Sequence, residues 1–236
     1  MQVMETFERV PFLRALSPAD RELLAPYAEL RTMTRTEALW SEGQPSGEFA
    51  FVVRGRMKMV KAAHSGRQTI LEMGAPGDLL CANAVCGYLP YCCSGVCMEE
   101  GTEIVILPRR DVLALVERSP MAARAFIREV TGRGVSMCQR VEELAGVKVE
   151  QRIAMLILRL ADRAGVPLQD GAIRVPIPLS RQDVADLCGT TIETAIRVMS
   201  GLRKKGVVKN AARGFVVDNR EALEAIVNKE AAAAAH

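Results

Sequence analysis

The chain has no run of about 18 apolar residues, the length a helix needs to cross a bilayer. Its opening, MQVMETFERVPF, lacks the basic start and apolar core of a secretory leader. No membrane partner is therefore expected, and the cytoplasm is the expected compartment. Histidine is scarce, with two in 236 residues and only His64 internal. No Ser/His/Asp set, metal-hydrolase motif or phosphate-cradling glycine loop is present, so an enzyme is not expected. His64, in the AAHSGR turn, reads as a solvated residue. The sharpest absence is local. From Gln68 to Pro108 there is not one Lys or Arg, while five acids fall there. Cysteine is also absent before Cys81, yet the chain carries seven in all. In a cytosolic protein these suggest thiols or metal ligands rather than structural disulfides.

The basic charge is concentrated elsewhere. Net charge is only +3, but Lys148 to Arg220 holds 13 Lys+Arg against 7 Asp+Glu. A basic C-terminal part suits a polyanion such as DNA. The length and the 49% hydrophobic content allow two modest domains, each with its own core. The terminal AAAAAH resembles a remnant of expression and is set outside the fold.

Two short helical patterns occupy residues 4–27, the second opening at Ser17-Pro18. β-prone runs punctuated by glycine follow at 48–55, 56–62, 67–73 and 102–108, predicting an all-β sandwich or roll. Ser119-Pro120 then opens a long helix. Ala123, Ile127, Val130, Gly134, Met137, Val141 and Leu144 step along it by four and three, a heptad seam that one helix cannot bury alone. A helix over about 150–164 and a short strand over 173–177 come next.

Residues 179–217 carry the most specific pattern. Ser180 caps RQDVADLC, which stops at Gly189, and Thr190 or Thr191 caps IETAIRVMSGLRKK, which stops at Gly206. Val184, Ala185, Leu187, Ile192, Val198 and Leu202 are spaced to pack the two helices into a helix-turn-helix. VVKN-AARG-FVVD (207–218) reads as a wing, with Asp218 placed to cap a last helix. Glu193 and Arg197 share one face of the second helix, where side chains meet base edges in the major groove. Arginine pairs with guanine O6 and N7, and glutamate accepts from cytosine N4. Thr191, Thr194, Arg203, Lys204, Lys205, Lys209 and Arg213 are placed for phosphates.

The segment LSRQDVADLCGTTIETAIRVMSGLRKKGVV resembles the helix-turn-helix of the CRP/FNR family, whose recognition helix carries an E-x-x-[ST]-R-like core, here E-T-A-I-R from Glu193 to Arg197. The order of β-rich run, long helix and winged helix matches that family over about 5–228. The resemblance implies an α+β fold: an N-terminal β-roll of cyclic-nucleotide-binding type, a jelly roll (1–118), then a dimerisation helix (119–146) and a C-terminal winged helix-turn-helix (147–230), with 231–236 outside. It implies a homodimer on a palindromic site with TGA-like half-sites, and RNA polymerase as a partner where the protein activates. Ile196 departs from the small polar residue that precedes the arginine in FNR-type proteins, and suits a thymine methyl instead.

In the cyclic-nucleotide branch the roll grips phosphate with an Arg-[ST] pair. The corresponding stretch here, GDLLCANAVCGYLPYCCSGVC (77–97), has no arginine, so no cyclic nucleotide is expected. It has instead Cys81, Cys86, Cys92, Cys93 and Cys97, spaced C-x4-C-x5-C-C-x3-C. That spacing fits no standard zinc or ferredoxin template. Four thiolates from one loop can hold an iron–sulfur cluster of the [4Fe–4S] type, which would respond to redox state, oxygen or nitric oxide. Cys81, Cys86, Cys97 and one of Cys92 and Cys93 are the favoured ligands. Another thiophilic metal or metalloid, thiol redox chemistry, and plain packing are the alternatives. Loss of the cluster would free the 78–98 loop and alter the dimer seam. Cys138, beside the seam, and Cys188, before the recognition-helix turn, read as packing residues.

Overall fold

A computed structural model describes residues 2–63, 66, 68–85, 87 and 89–228. His64 and Cys86 thus lie outside the described residues. The chain divides into two compact units, 1–137 and 138–236.

The first unit begins with helices α1 (Gln2–Arg9), α2 (Pro11–Arg14) and α3 (Pro18–Leu24). Ser17 caps α3, its side chain accepting from the Asp20 amide, with Pro18 pre-set for the first turn. Eight strands follow: β1 (Glu29–Met33), β2 (Ala38–Trp40), β3 (Glu48–Arg54), β4 (Met57–Ala62), β5 (Gln68–Gly74), β6 (Leu79–Leu80), β7 (Ser94–Cys97) and β8 (Thr102–Pro108). They form two antiparallel sheets, ordered β1-β8-β3-β6 and β2-β7-β4-β5. The four glycine-punctuated runs of the sequence become β3, β4, β5 and β8. The 77–97 stretch is not one loop: Ser94–Cys97 is a strand that pairs with both β2 and β4. Its residues alternate half-buried and buried, and Gly95 lies under the Trp40 ring.

Helix α4 (Arg109–Arg118) leads to the long helix α5 (Pro120–Gly146), which opens where the Ser119 side chain accepts from the Ala122 amide. Ala122, Ala125 and Phe126 of α5 are buried in the core of this unit. Phe126 meets Phe12 and Phe49 edge-on at 5.9 and 5.4 Å, and Phe12 stacks on Phe51 at 5.5 Å. Such pairs add about 1 kcal/mol each beyond their burial. The heptad seam is split by this packing. Val130 joins the core of this unit, while Ile127 (63% exposed), Val135, Met137 and Val141 (61%) are exposed. Cys138 is exposed on the same helix.

The second unit holds the end of α5, then α6 (Val149–Ala164), β9 (Val166–Pro167), β10 (Ile173–Val175), α7 (Arg181–Leu187), α8 (Ile192–Lys204), β11 (Val208–Asn210), β12 (Phe215–Val217) and α9 (Arg220–Asn228). Its sheet runs β11-β12-β10-β9. Gly214 turns the wing at φ +89°, with its α-carbon packed against the β10 backbone. Arg152 of α6 ties the unit together, donating to the Cys188, Leu144 and Val147 carbonyls at 2.9, 3.2 and 2.8 Å. Asn219, not Asp218, caps α9 by accepting from the Ala222 amide. Asp218 is instead drawn to Lys209 at 3.0 Å.

Candidate nucleic-acid interface and cysteine segment

The two helices α7 and α8 are set by local chemistry. Ser180 and Asp183 form a reciprocal capping box at the start of α7. Gly189 turns the chain at φ +57° between the helices, packed close to Leu144. Thr191, not Thr190, caps α8, accepting from the Thr194 amide at 3.3 Å. Ala195, Met199 and Leu202 form the buried face of α8, beside Val184, Ala185 and Leu187 of α7. Ile192 and Val198, expected in that core, are only half-buried. The core stripe runs one residue away from Val198, through Met199.

The opposite face of α8 is turned to solvent. Glu193 and Arg197 are exposed, and Ile196 between them is 43% exposed. Arg197 makes no hydrogen bond or ion pair among the described residues, so the two share a face without closing a pair. Glu193 lies in the first turn, where its backbone amide, followed by the Thr191 hydroxyl, holds its carboxyl below the usual range. It is therefore a charged acceptor at neutral pH.

The basic residues divide into held and free. Arg203 donates to Asn210 of β11 and to Ser200, both at 3.1 Å. Lys205 stands 3.9 Å from Glu150, and Lys209 is paired with Asp218. Lys204 and Arg213 are exposed. Arg181 was not singled out by the sequence, although it follows the Ser180 cap directly. Its pKa is lowered by burial and then by the charge of Arg203, which sets these two cations close together.

The cysteines separate differently from their spacing. Cys92 and Cys93 bring their sulfurs to 3.9 Å. These two adjacent residues thus bring their sulfurs together. Cys81 and Cys93 are buried and Cys92 is exposed. Hydrogen bonds from Cys81 and then Cys93 push the Cys92 thiol far below its ordinary range. Cys81 is raised chiefly by Cys92, and Cys93 by Cys81 and Cys92. Cys97 does not join: its Sγ donates to the Glu99 carbonyl at 3.0 Å. Among the described residues no group of three or more His, Cys, Asp or Glu is placed to hold a metal ion. Cys188 is buried, and burial raises its thiol to about 11.

The segment is held by residues distant in sequence. Arg109 Nε donates to the Ala84 carbonyl at 2.6 Å, and its guanidinium packs against Gly87. Trp40 Nε1 donates to the Cys93 carbonyl, and Lys61 Nζ to the Cys92 carbonyl, both at 2.9 Å. At the start of the segment, Leu79 N–H donates to Glu129 of α5 at 3.4 Å. Arg133 of α5 donates to the Leu79 carbonyl and to Glu72, the latter at 2.5 Å.

Residues 151–226 match the model of the Crp-like helix-turn-helix domain, and residues 30–119 that of the cyclic nucleotide-binding domain. The chain is 21% identical over 219 residues to the CRP-like cAMP-activated global transcriptional regulator of Mycobacterium tuberculosis, covering 93% of this chain and 97% of that protein. It is 26% identical to the nitrogen fixation regulation protein FixK of Bradyrhizobium diazoefficiens, over 80% of this chain and 78% of that one. The solved structure of FixK2 from Bradyrhizobium japonicum superposes with a TM-score of 0.75 at 23% identity, covering 84% of this chain and 96% of that one. No helix among the described residues is long and apolar enough to cross a membrane.

Proposed function

Since this chain belongs to the CRP/FNR family of DNA-binding transcription regulators, and not to an enzyme family, we propose that it works as a homodimer reading a palindromic, TGA-like site, under control of its cysteine segment. The observation that carries the DNA reading is the outward set Glu193, Ile196 and Arg197 over a buried Ala195, Met199 and Leu202. Arg197 is free to donate two bonds to guanine, Glu193 accepts from cytosine N4, and Ile196 meets a thymine methyl. Thr191, Thr194, Lys204, Lys205 and Arg213 contact phosphates, and Arg203 adds charge from a fixed position beside Arg181. Exposed Ile127, Val135, Met137 and Val141 on α5 form the apolar surface that a second copy covers. Paired copies present two α8 helices to major grooves about 34 Å apart. At promoters where the dimer activates, RNA polymerase is the further partner.

Fluorescence anisotropy with a TGA-core palindrome and a scrambled duplex tests this reading. The intact protein prefers the palindrome, and Arg197→Ala loses that preference while keeping residual binding. Equal binding of both duplexes by the intact protein overturns it.

The signal enters at the thiols. A cyclic nucleotide fits poorly, because the segment has no cation of its own and Arg109 is engaged with Ala84. For a [4Fe–4S] cluster the donor set is incomplete as it stands. Cys81, Cys92 and Cys93 supply three sulfurs, Cys97 is turned to Glu99, and the fourth would have to be Cys86. Whatever reacts there acts on a segment whose first residues are gripped by Glu129 and Arg133. Movement of Leu79 therefore reaches the helix that carries the dimer face.

A further inference from the structure

The Cys92 and Cys93 sulfurs stand 3.9 Å apart. Side-chain rotation alone separates that distance from the roughly 2.05 Å of a disulfide. The two thiols are unequal, since Cys92 is exposed and Cys93 is buried. A small reagent in water meets the first, while the second is shielded from it. We propose that Cys92 and Cys93 form a reversible oxidation site for hydroperoxides, in which the exposed sulfur is oxidised and the buried one then closes a disulfide between neighbours. The inference rests on the cysteine segment being the regulator's sensor.

Both flanks of the pair are fixed. Before it, the Tyr91 amide donates to the Gln44 carbonyl and the Tyr91 carbonyl accepts from the Gly43 amide, both at 2.9 Å. The Tyr91 ring also stacks on Trp40, with centroids 4.3 Å apart. After it, Ser94 opens β7, and its hydroxyl accepts from the Glu42 amide at 2.9 Å. Closure is therefore not absorbed by sliding the chain. It turns bonds within the pair itself, whose two carbonyls are those held by Lys61 and Trp40. Cys97 does not compete, since its thiol is bonded to the Glu99 carbonyl. Neighbouring α-carbons lie about 3.8 Å apart across a trans peptide, closer than the roughly 4.4–6.8 Å usual for disulfide partners. The closed ring is thus constrained, and constrained disulfides are the readily reduced ones. That suits a signal reset by a dithiol reductant, not a structural bond.

The chemistry balances in two steps. The Cys92 sulfur attacks one oxygen of the hydroperoxide. The O–O bond breaks, an S–O bond forms, and the other oxygen leaves as water or an alcohol with a proton. The Cys93 sulfur then displaces the hydroxyl from Cys92. The S–O bond breaks, the S–S bond forms, and water leaves with the Cys93 proton. Two electrons pass from the sulfur pair to the peroxide.

Trp40 is the chain's single tryptophan, and its indole N–H is bonded to the Cys93 carbonyl. It therefore reports events at the pair. The full-length, reduced protein is treated with hydrogen peroxide while Trp40 fluorescence is followed. Free thiols are then blocked with iodoacetamide, disulfides are reduced, and the released thiols are labelled with N-ethylmaleimide before peptide mapping. The second label is expected on Cys92 and Cys93 together, in a chain lighter by two hydrogens and not cross-linked to another copy. The fluorescence change should reverse with dithiothreitol. Cys93→Ser should leave Cys92 to proceed to the sulfinic acid, which dithiothreitol does not restore, whereas Cys97→Ser should behave as the parent. A disulfide from Cys92 to Cys81, Cys86, Cys97 or a second copy overturns the site. So does a parent chain in which Cys92 reaches the sulfinic acid while Cys93 remains a thiol. The labelling pattern is read on the unmodified chain, so it decides even if a variant misfolds. Anisotropy on the palindrome separates the two readings, with a change in affinity of roughly fivefold or more expected on oxidation. A Cys92–Cys93 disulfide without any change in DNA affinity leaves the site standing and sinks the sensor reading. A peroxide-inert pair in a protein that still selects the palindrome sinks the site and leaves the DNA reading intact.

Discussion

The helix-turn-helix and the cysteine segment are held in opposite ways. In the former, caps are local: Ser180 with Asp183, and Thr191 with Thr194, each span three residues. Both helix starts are satisfied within one turn, with Arg152 added at the Cys188 carbonyl, and Glu193, Ile196 and Arg197 are left outside to read. In the latter, the Leu79, Ala84, Leu89, Cys92 and Cys93 carbonyls are held by Arg133, Arg109, Ser46, Lys61 and Trp40, residues 25 to 54 positions away. A locally determined element keeps its shape whatever happens elsewhere. One latched from many directions changes when a single latch is disturbed, which suits the part that responds.

The sharpest break in this contrast is Gly214→Ala. A β-carbon there would sit 2.0 Å from the Val175 carbonyl oxygen, at φ +89°. Strand β10 must shift, and a loss of roughly 3 kcal/mol or more is expected. Thermal melting should show the second unit weakened. Trp40, in the first unit, should show no change in its environment before that transition. A variant as stable as the parent would mean that the close approach of Gly214 to β10 does not govern this region. Next in size, Arg197→Ala should cost about 1–3 kcal/mol of discrimination at one base pair. It should leave the melting temperature unchanged, because Arg197 makes no hydrogen bond or ion pair among the described residues. A large fall in stability would show that the residue is structural.

The same contrast explains which parts were legible. Local signals were visible: glycine-punctuated β3, β4, β5 and β8, the Ser17, Ser119 and Ser180 starts, and the exposed face of α8. Elements made by distant pairing were not. Strand β7 exists because Ser94–Cys97 is pinned between β2 and β4, and nothing within SGVC announces it. For the same reason Cys97 looked like a loop ligand. The heptad seam concealed that α5 serves two partners: Phe126, off the seam, anchors the core, while Ile127 beside it is exposed. At the α9 start, Asp218 and Asn219 are both good caps. The choice falls to Asn219 because Lys209 takes Asp218. Arg181 became visible only when Arg203 was seen to stand near it.

Loosening one latch tests the responsive side. Arg133→Ala removes the bonds to the Leu79 carbonyl and to Glu72, leaving the Glu129 contact as the remaining grip of α5 on Leu79, which stays paired with β3. Charge-assisted bonds of this kind contribute about 1.5–3 kcal/mol each at most, and less here because both side chains of the Arg133–Glu72 pair keep some solvent contact. Hydrogen exchange at residues 79–85 should quicken while exchange in α7 and α8 is unchanged. Unchanged exchange in both places would remove the claim that α5 grips this segment.

The smallest expected effect concerns charge alone. Lys204 is exposed and makes no ion pair or hydrogen bond among the described residues, unlike Arg203, which is fixed between Ser200 and Asn210. A lysine on a phosphate releases a counterion and carries no base preference, so Lys204→Ala should weaken palindrome and scrambled duplex alike. The slope of log affinity against log salt should become shallower by about 1 per chain. Arg203→Ala should do more than that, because Asn210 of the wing loses its partner as well as the charge. If Lys204→Ala instead changes the preferred sequence, Lys204 reads bases, and the division between the base-reading set at Glu193–Arg197 and the phosphate set beyond it is drawn in the wrong place.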